Sequence, residues 1–238
     1  MKKFFSIALA VLFAGNAMAL DNVPESGFSM VAFGGMTVSN LKDSGMNPKV
    51  GVTFGVKVDY VLPNAYGTYV SAGIDWVDKG ARKTGDWGAP VGNVTQKMLS
   101  HYLEIPLHVG YRYNFSDKLG VYGEIGPYFA LGITGKNKIN YEDDLIPDES
   151  AQFFGKHFGG LIDDDLDNIR AIQRFDCGFG FRIGAEYNQQ YSLTIGYDWG
   201  FTDMYTDKFR TAFKTFSGGI SLSKMKNHNL SITFGYRF

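Results

Sequence analysis

The stretch Asn-Leu-Ser-Ile-Thr-Phe-Gly-Tyr-Arg-Phe occupies positions 229–238 and alternates strictly between polar and apolar side chains. Its apolar side chains are those of Leu230, Ile232, Phe234, Tyr236 and Phe238. Because successive side chains of a β-strand point to opposite faces, the pattern predicts a strand with one apolar and one polar face. Alternation over about ten residues is typical of a strand that crosses a lipid bilayer within a closed barrel.

The same two-residue period recurs along the whole chain. It is clearest from Val50 to Tyr60, where every second residue is apolar and the residues between are small or polar. On this basis we predict eight strands, at Phe28–Val38, Val50–Tyr60, Tyr66–Val77, Leu99–Phe115, Leu119–Ile133, Phe175–Tyr187, Tyr191–Phe201 and His228–Phe238. Single-chain bacterial outer-membrane barrels have an even number of strands, which this count satisfies.

The segments between the predicted strands alternate in length. The three short ones, Val61–Ala65, Ser116–Lys118 and Asn188–Gln190, contain Pro, Asn, Asp and Ser, which favour tight turns. The four long ones are Ser39–Lys49, Asp78–Met98, Thr134–Arg174 and Thr202–Asn227. We therefore predict an all-β fold, an eight-stranded antiparallel up-and-down transmembrane β-barrel with short periplasmic turns and long extracellular loops.

The N-terminal residues predict export. Lys2 and Lys3 precede an apolar run from Phe4 to Ala14, and Ala17-Met18-Ala19 offers small residues at the positions that a signal peptidase reads. The apolar run is too short to span a bilayer as a helix. We expect a signal peptide at residues 1–19, cleaved on export to the cell outer membrane, and one barrel domain at residues 20–238.

Composition excludes several classes of protein. The single cysteine, Cys177, rules out an intrachain disulfide framework. Loss of Lys2 and Lys3 leaves 21 basic against 24 acidic residues, a net charge of −3. This composition lacks the excess of basic residues that is typical of proteins that bind nucleic acid. No later segment approaches the length of uncharged apolar sequence that a membrane-spanning helix needs. We expect no cofactor, no metal and no catalytic site.

Two barrels could present such alternating faces. A soluble lipocalin-like barrel would turn its apolar face inwards, and a membrane barrel would turn it outwards. The apolar face holds mainly Phe, Tyr, Leu, Ile and Val, and such volumes would overfill the interior of eight strands. Aromatic residues also collect at the predicted strand ends, such as Tyr187 and Tyr191 at one end and Trp76 and Trp199 at the other. This placement is typical of interfacial girdles, so we expect the apolar face to contact lipid.

The polar face combines many glycines with charged residues of both signs. We predict that these residues form a charge network in the lumen, made of Lys57, Asp59, Asp75, Glu104, His108, Arg112, Glu124, Asp176, Arg182, Glu186, Asp198 and Arg237. An eight-stranded barrel is only wide enough for its own side chains, and buried charges persist when they are paired. We interpret the network as a structural plug, with an ion or proton path and catalysis as alternatives.

Four motifs carry a resemblance to a known family. They are Tyr102–Leu107, Gly123–Tyr128, Phe175-Asp176 with the alternate glycines that follow, and Phe234–Phe238. Together they resemble the PorT-like, porin-family outer-membrane barrels of Bacteroidetes, small barrels of the OmpA and OmpX type. The resemblance covers nearly all of the chain after the signal peptide, and it implies a barrel without shared catalytic residues. It also implies that Phe234, Tyr236 and Phe238 form the signal that the barrel-assembly machinery recognises during biogenesis.

The longest predicted loop, Thr134–Arg174, is acidic. Asp163, Asp165 and Asp167 match the first three ligand positions of a helix-loop-helix calcium site. The glycine and the glutamate that this motif needs are replaced by Asn168 and Arg174, so the motif fails where it is most specific. We expect a solvated acidic loop, or one bridged to its neighbours by loosely held divalent cations.

Three classes of function fit this sequence. The first is a non-enzymatic structural or surface-interaction protein, whose extracellular loops bind outer-membrane lipid, lipopolysaccharide or another envelope protein. Basic loop residues such as Arg82 and Lys97 would then face lipopolysaccharide phosphates. The second class is a small-solute channel of the porin type. The third is a lipid-modifying outer-membrane enzyme, although the sequence places no nucleophile beside His101, His108, His157 or His228. The resemblance adds a role as a secretion accessory protein.

Overall fold

The structure, a computed structural model, describes residues 26–86, 92–141, 147–152, 154 and 171–238. The described strands are β1 (Gly27–Lys42), β2 (Asn47–Val61), β3 (Thr68–Asp86), β4 (Asn93–Asn114), β5 (Leu119–Tyr141), β6 (Glu149–Gln152), β7 (Phe175–Tyr187), β8 (Tyr191–Gly200) and β9 (Lys226–Arg237). One helix, α1 (Asp207–Phe216), lies between β8 and β9. The predicted signal peptide and the aspartates of the predicted calcium-like motif lie outside the described residues.

Eight of these strands form a closed ring, which confirms the predicted fold. β1, β2, β3, β4, β5, β7, β8 and β9 pair antiparallel in that order, and β9 pairs back with β1. In the closing pair, Gly34 lies opposite Phe234 and Thr37 lies opposite Ser231. Closure matters because an open sheet edge would leave backbone N–H and C=O groups without partners in hydrocarbon. No helix among the described residues is long and apolar enough to cross a membrane.

The three short connections are tight turns at one end of the ring. Asn188 and Gln189 have φ of 53° and 56°, so both lie in the left-handed region that the turns of β-hairpins use. Gln190 N–H donates to the Tyr187 carbonyl at 3.2 Å and closes the turn between β7 and β8. The Ser116 hydroxyl accepts from Leu119 N–H at 3.2 Å in the turn between β4 and β5. The turn residues expected from the sequence therefore lie where the chain reverses.

At the opposite end the strands extend further than the sequence predicts. β3 continues to Asp86 and β4 begins at Asn93, so most of the predicted loop Asp78–Met98 is strand. Pairs such as Thr84 with Thr95 and Lys97 with Lys138 continue the ladder. The apolar outer series ends there because the outer face becomes polar beyond the apolar band, whereas inner residues such as Ala81 and Met98 are apolar. The boundaries predicted for these loops were wrong for this reason.

Two further elements at this end were not predicted. β6 pairs with β5 outside the ring, with Lys138 opposite Ser150. Helix α1 begins after Thr206, whose hydroxyl accepts from Phe209 N–H at 3.3 Å and caps the helix. The predicted loop Thr202–Asn227 thus contains a capped helix, and the predicted loop Thr134–Arg174 contains the end of β5 and all of β6.

The two faces of the barrel have opposite chemistry. Phe54 on β2 leaves 55% of its side chain exposed, and Leu107 and Phe179 likewise face outwards. On the inner face, Glu104 is 0% exposed. A soluble lipocalin-like barrel would show the reverse arrangement. Large apolar side chains on the outside of a closed sheet are stable when lipid surrounds the barrel.

Aromatic side chains border this apolar surface at both ends. Near the turns, Tyr191 contacts both Phe234 and Tyr236, with ring centroids 6.1 Å and 5.4 Å apart respectively. Near the other end, Trp76 stacks between Phe54 and His101 at centroid distances of 6.3 Å and 5.6 Å. Tyrosine and tryptophan favour the membrane–water boundary, so these contacts mark its two edges.

The apolar face predicts how single charges affect stability. Val56 points outwards near the middle of β2, and we expect Val56→Arg to lower the free energy of unfolding by about 2–4 kcal/mol. The control Thr84→Arg places the same charge on an exposed residue of the extension of β3, where we expect at most about 1 kcal/mol. Equilibrium unfolding by denaturant from liposomes measures both changes. Equal, small losses would contradict a lipid-facing Val56.

Candidate functional site

All twelve charged residues of the predicted network lie on the inner face of the ring. Nine of them are buried. The other three, Lys57, Arg182 and Arg237, are partly buried, with side-chain exposures of 14%, 13% and 13%. They come from seven of the eight ring strands, so the network ties opposite walls of the barrel together.

Nearest the turns, two arginines and two acids form a closed quartet. Arg112 lies 3.0 Å from Asp59 and 3.0 Å from Glu186. Arg237 lies 3.1 Å from the same Asp59 and 2.5 Å from the same Glu186. The four residues belong to β2, β4, β7 and β9. Each acid therefore faces two guanidinium groups, and each guanidinium faces two acids, which balances the buried charges.

In the middle of the lumen, Glu124 collects three partners. Lys57 Nζ lies 2.8 Å from Glu124 Oε2, and the Tyr69 hydroxyl donates to the same oxygen at 2.9 Å. His108 Nδ1 lies 3.5 Å from Glu124 Oε1. A separate pair joins Arg182 to Asp198 at 2.6 Å. These contacts satisfy acids that would otherwise be isolated in a medium of low polarity.

Towards the other end, the centre of the network is Lys79, which was not among the predicted network residues. Its ammonium group is fully buried, 2.8 Å from Glu104 and 3.3 Å from Asp176. The rings of Tyr102 and Tyr128 also contact it, with centroids 5.2 Å and 4.5 Å from Nζ. The alternation of β3 could have predicted that Lys79 points into the lumen, because every second residue of β3 points inwards and Lys79 follows Val77 in this series.

Asp75 has no ion pair among the residues that the structure describes. It lies directly opposite Glu104 in the ladder between β3 and β4, and like charges in that position are destabilising. Both carboxyl groups line a cavity of about 50 Å³, which Arg182 and Lys57 also border. At ~10–15 Å³ per water, this cavity has room for a few water molecules, which would supply donors to Asp75.

An apolar cluster lies beyond Lys79, and we call it the cap cluster. Its buried members are Leu41, Ala81, Met98, Tyr102, Tyr128, Ala130, Phe154, Ala171, Ile172, Met204, Phe209 and Met225. They come from the upper barrel wall and from the segments around α1. A smaller apolar group, Val61, Tyr69 and Tyr122, lies near the turns. The rings of Tyr69 and Tyr122 lie among the charged residues, with centroids 5.9 Å and 5.4 Å from Lys57 Nζ.

Backbone and aromatic contacts hold the cap cluster in place. Thr206 N–H donates to the Ala171 carbonyl at 2.9 Å, and Met204 N–H donates to the Met225 carbonyl at 2.8 Å. Tyr205 stacks on Phe209 with ring centroids 5.6 Å apart. Burial raises the pKa of the Tyr205 phenol, although the nearby guanidinium of Arg210 opposes the change. The cap is therefore a packed element rather than a loose loop.

Two inward tyrosines explain part of the glycine content. The ring of Tyr69 lies over Gly110, where an added Cβ would come within 2.3 Å of a ring atom. The ring of Tyr122 lies over Gly184 in the same way, at 2.4 Å. The Tyr122 hydroxyl also contacts the hydroxyl of Thr194. A narrow lumen can hold these rings because the opposing residue has no side chain.

The outward-facing His101 lies in a polar cluster at the edge of the apolar band. Its Nδ1 is 2.5 Å from Asp78 Oδ1, and the indole N–H of Trp76 donates to the same oxygen at 3.3 Å. Thr134 lies opposite His101 in the ladder between β4 and β5. The sequence alone paired His101 with no acid or hydroxyl, because Asp78 and Thr134 are distant along the chain.

The other predicted site residues have simpler surroundings. His228 contacts the Tyr197 hydroxyl through Nδ1 at 2.6 Å on the outer face, and His157 lies outside the described residues. Phe234 and Phe238 point outwards near the turns, and Phe238 N–H donates to the Met30 carbonyl at 2.9 Å. Recognition of these residues with Tyr236 by an assembly machinery stays a prediction. No cluster of metal-ligating side chains occurs in the described part of the chain.

The closed ring, the exposed apolar face and the charged lumen together define a transmembrane β-barrel of the outer-membrane type. The chain belongs to the family described as outer membrane protein beta-barrel domain, whose pattern matches residues 13–206. The protein is therefore an outer-membrane protein. Its short turns face the periplasm, and the extended strands, α1 and the cap cluster lie on the extracellular side.

Several solved outer-membrane proteins are similar to this chain. The attachment invasion locus protein Ail of Yersinia pestis is 15% identical, with a TM-score of 0.38 over 90% of this chain and 100% of that one. Neisserial surface protein A is 11% identical, with a TM-score of 0.41 over 90% and 98% of the two chains. OprG from Pseudomonas aeruginosa is 12% identical, with a TM-score of 0.39 over 91% and 98%. No curated protein gives a significant match.

The position of Lys79 predicts a large loss of stability when its charge is removed. Lys79→Met leaves Glu104 and Asp176 buried without their shared cation, and we expect a loss of about 3–5 kcal/mol. The control Lys83→Met alters an exposed lysine on the same strand and should cost less than about 0.5 kcal/mol. Denaturant unfolding of the reconstituted barrel measures both.

A double variant tests whether the loss arises from the ion pair. In the double variant Lys79→Met with Glu104→Gln, one of the two acids that lose their cation is replaced by a neutral amide. The combined loss of unfolding free energy should therefore be smaller than the sum of the losses in the two single variants. Strict additivity would contradict a direct interaction between Lys79 and Glu104.

Proposed function

We propose that this protein is a non-enzymatic outer-membrane barrel with an occluded lumen, which acts as a structural or surface-interaction protein through its extracellular side. The observation that carries the proposal is the layered filling of the lumen. The arginine quartet, the partners of Glu124 and the buried Lys79 occupy the interior in succession, and the cap cluster covers them.

Occlusion follows from the width of the ring and the strength of the contacts inside it. An interior of eight strands is filled by its own side chains. Opening a path would separate buried ion pairs such as Lys79 with Glu104, which are 2.8 Å apart. It would also displace cap residues such as Ile172 and Phe209, which are almost fully buried. Both changes are costly, so the resting barrel conducts no solute.

The extracellular side offers a rigid surface for partners. β3, β4 and β5 extend past the apolar band as a paired sheet, and α1 packs against the cap cluster through Phe209. Partners proposed on this basis are outer-membrane lipid, lipopolysaccharide and another envelope protein. Three further properties are also proposed. They are cleavage of the signal peptide at residues 1–19, recognition by the barrel-assembly machinery, and membership of the PorT-like group with a secretion accessory role.

The channel alternative rests on the charged cavity beside Asp75. It predicts unitary current steps in planar bilayers that contain the pure protein, and a change of ion selectivity in Asp75→Asn. The occluded barrel predicts no steps above the baseline for either protein. Protection from external protease verifies that the barrel is inserted, and a general porin reconstituted in parallel verifies that the bilayer reports conduction. Reproducible steps from the wild type would overturn the occluded lumen.

The enzyme alternative rests on the row formed by Asp78, His101 and Thr134 at the membrane boundary. An acid beside a histidine, with a hydroxyl on the next strand, contains the residue types of a hydrolytic triad. The stacking of His101 on Trp76 favours a structural role instead, because the same Asp78 oxygen also accepts from the indole. We therefore expect no acyl hydrolysis.

Incubation of the folded protein with radiolabelled phospholipid and lipid A tests this expectation. The released fatty acid should equal that of protein-free bilayers for both the wild type and His101→Ala. Release by the wild type that is abolished in His101→Ala would contradict the non-enzymatic assignment.

A further inference from the structure

A row of basic residues crosses the outer face of the extended sheet. Arg82, Lys97 and Lys138 are direct neighbours on β3, β4 and β5. Asn47 on β2 and Ser150 on β6 flank them in the same row. We call Arg82, Lys97 and Lys138 the basic row. It contains three cations on adjacent strands and no acid.

The basic row has no protein partner that the structure describes. Each of its three side chains is exposed, as is Lys136 one position nearer the membrane. None of these four residues forms an ion pair with any residue in the described ranges. Like charges on directly opposed residues destabilise a sheet, and paired strands hold these charges close together. The arrangement is unfavourable unless an anion lies against it.

The height of the row above the bilayer points to the kind of anion. Lys136 and Lys138 lie three and five residues beyond Ile133, an exposed apolar residue at the edge of the lipid-facing surface. At ~3.3 Å per residue and a strand tilt of about 40°, these positions are about 8 Å and 13 Å above that edge. The headgroup layer of an ordinary bilayer is only about 5–7 Å thick on each side. A simple phospholipid phosphate would therefore lie below the row.

From this placement we propose that the basic row, with Lys136, binds the sugar phosphates of a glycolipid in the outer leaflet. A phosphorylated glycolipid raises its phosphates above the acyl chains on a sugar backbone, which matches the height of the row. Arg82 offers a planar fork that binds two phosphate oxygens, and Lys97 and Lys138 supply point charges on long flexible stems. The lipid-facing strands below would contact the acyl chains of the same molecule.

This site rests on the proposed surface role of the extracellular side and is independent of the occluded lumen. It specifies one member of the partner class, a phosphorylated lipopolysaccharide, and one face of the barrel. Three exposed lysines of α1 and the following segment, Lys208, Lys214 and Lys224, lie on other elements outside this sheet. They provide a matched control for charge.

The test compares two triple variants of the full chain folded in zwitterionic detergent. Variant one is R82Q/K97Q/K138Q, and variant two, the control, is K208Q/K214Q/K224Q. Titration with rough lipopolysaccharide that carries phosphate on its sugars should give saturable binding to the wild type. The apparent dissociation constant should rise about tenfold or more in variant one, since each charged hydrogen bond lost weakens binding. It should change less than about threefold in the control, whose charges lie outside the site.

Other ligands identify the source of the phosphate. Chemically dephosphorylated lipopolysaccharide should bind the wild type as weakly as intact lipopolysaccharide binds variant one. Phosphatidylglycerol should bind at least about tenfold more weakly than intact lipopolysaccharide. Equal binding of phosphatidylglycerol would overturn the glycolipid assignment, and so would equal competition by inorganic pyrophosphate. Equal losses in both triple variants would overturn the location of the site.

Two readouts separate this proposal from the others. Heat-modified migration in gels verifies that each variant is folded, so a lost barrel is not mistaken for a lost site. Conductance of the wild type reports the lumen separately. If the wild type is folded and non-conducting but binds no phosphorylated lipopolysaccharide, the basic-row site is overturned and the occluded lumen is retained.

Discussion

The closing pair between β1 and β9 is the constraint on which the rest of this structure depends. In hydrocarbon no water replaces a missing backbone hydrogen bond, so the sheet must end where it begins. The register of that pair places Met36 and Ile232 together on the outer face and Thr37 and Ser231 together on the inner face. The outward rows, the aromatic edges and the charged lumen all follow from this single closure.

Eight strands enclose a narrow space, and its contents show how such a space is filled. Large rings are accommodated where the facing residue is glycine, as Tyr69 is over Gly110. Charges are accommodated where several strands supply partners, as in the quartet of Arg112, Arg237, Asp59 and Glu186. The same side chains that neutralise one another also join strands on different sides of the lumen.

Much of this architecture could be predicted from the sequence, because a two-residue period is visible without any knowledge of long-range contacts. The strand count, the turns and the identity of the inner face were derived in this way. Lys79 was missed because the alternating apolar residues of β3 end near Val77. The predicted strand therefore stopped at Val77, although the strand itself continues past Lys79. The pairing of His101 with Asp78 was also missed, since it depends on register between strands. The register between two strands depends on their pairing along the whole ladder, so it cannot be predicted from either segment alone.

The arginine quartet has a consequence for how the barrel is completed during insertion. Arg237 belongs to β9, and its contact with Asp59 on β2 crosses the closing pair between β9 and β1. A slip of one residue in the closing pair would turn Arg237 towards the acyl chains and remove one of two arginines from the acids. The quartet therefore favours the observed alignment of β9 with β1 over an alignment shifted by one residue.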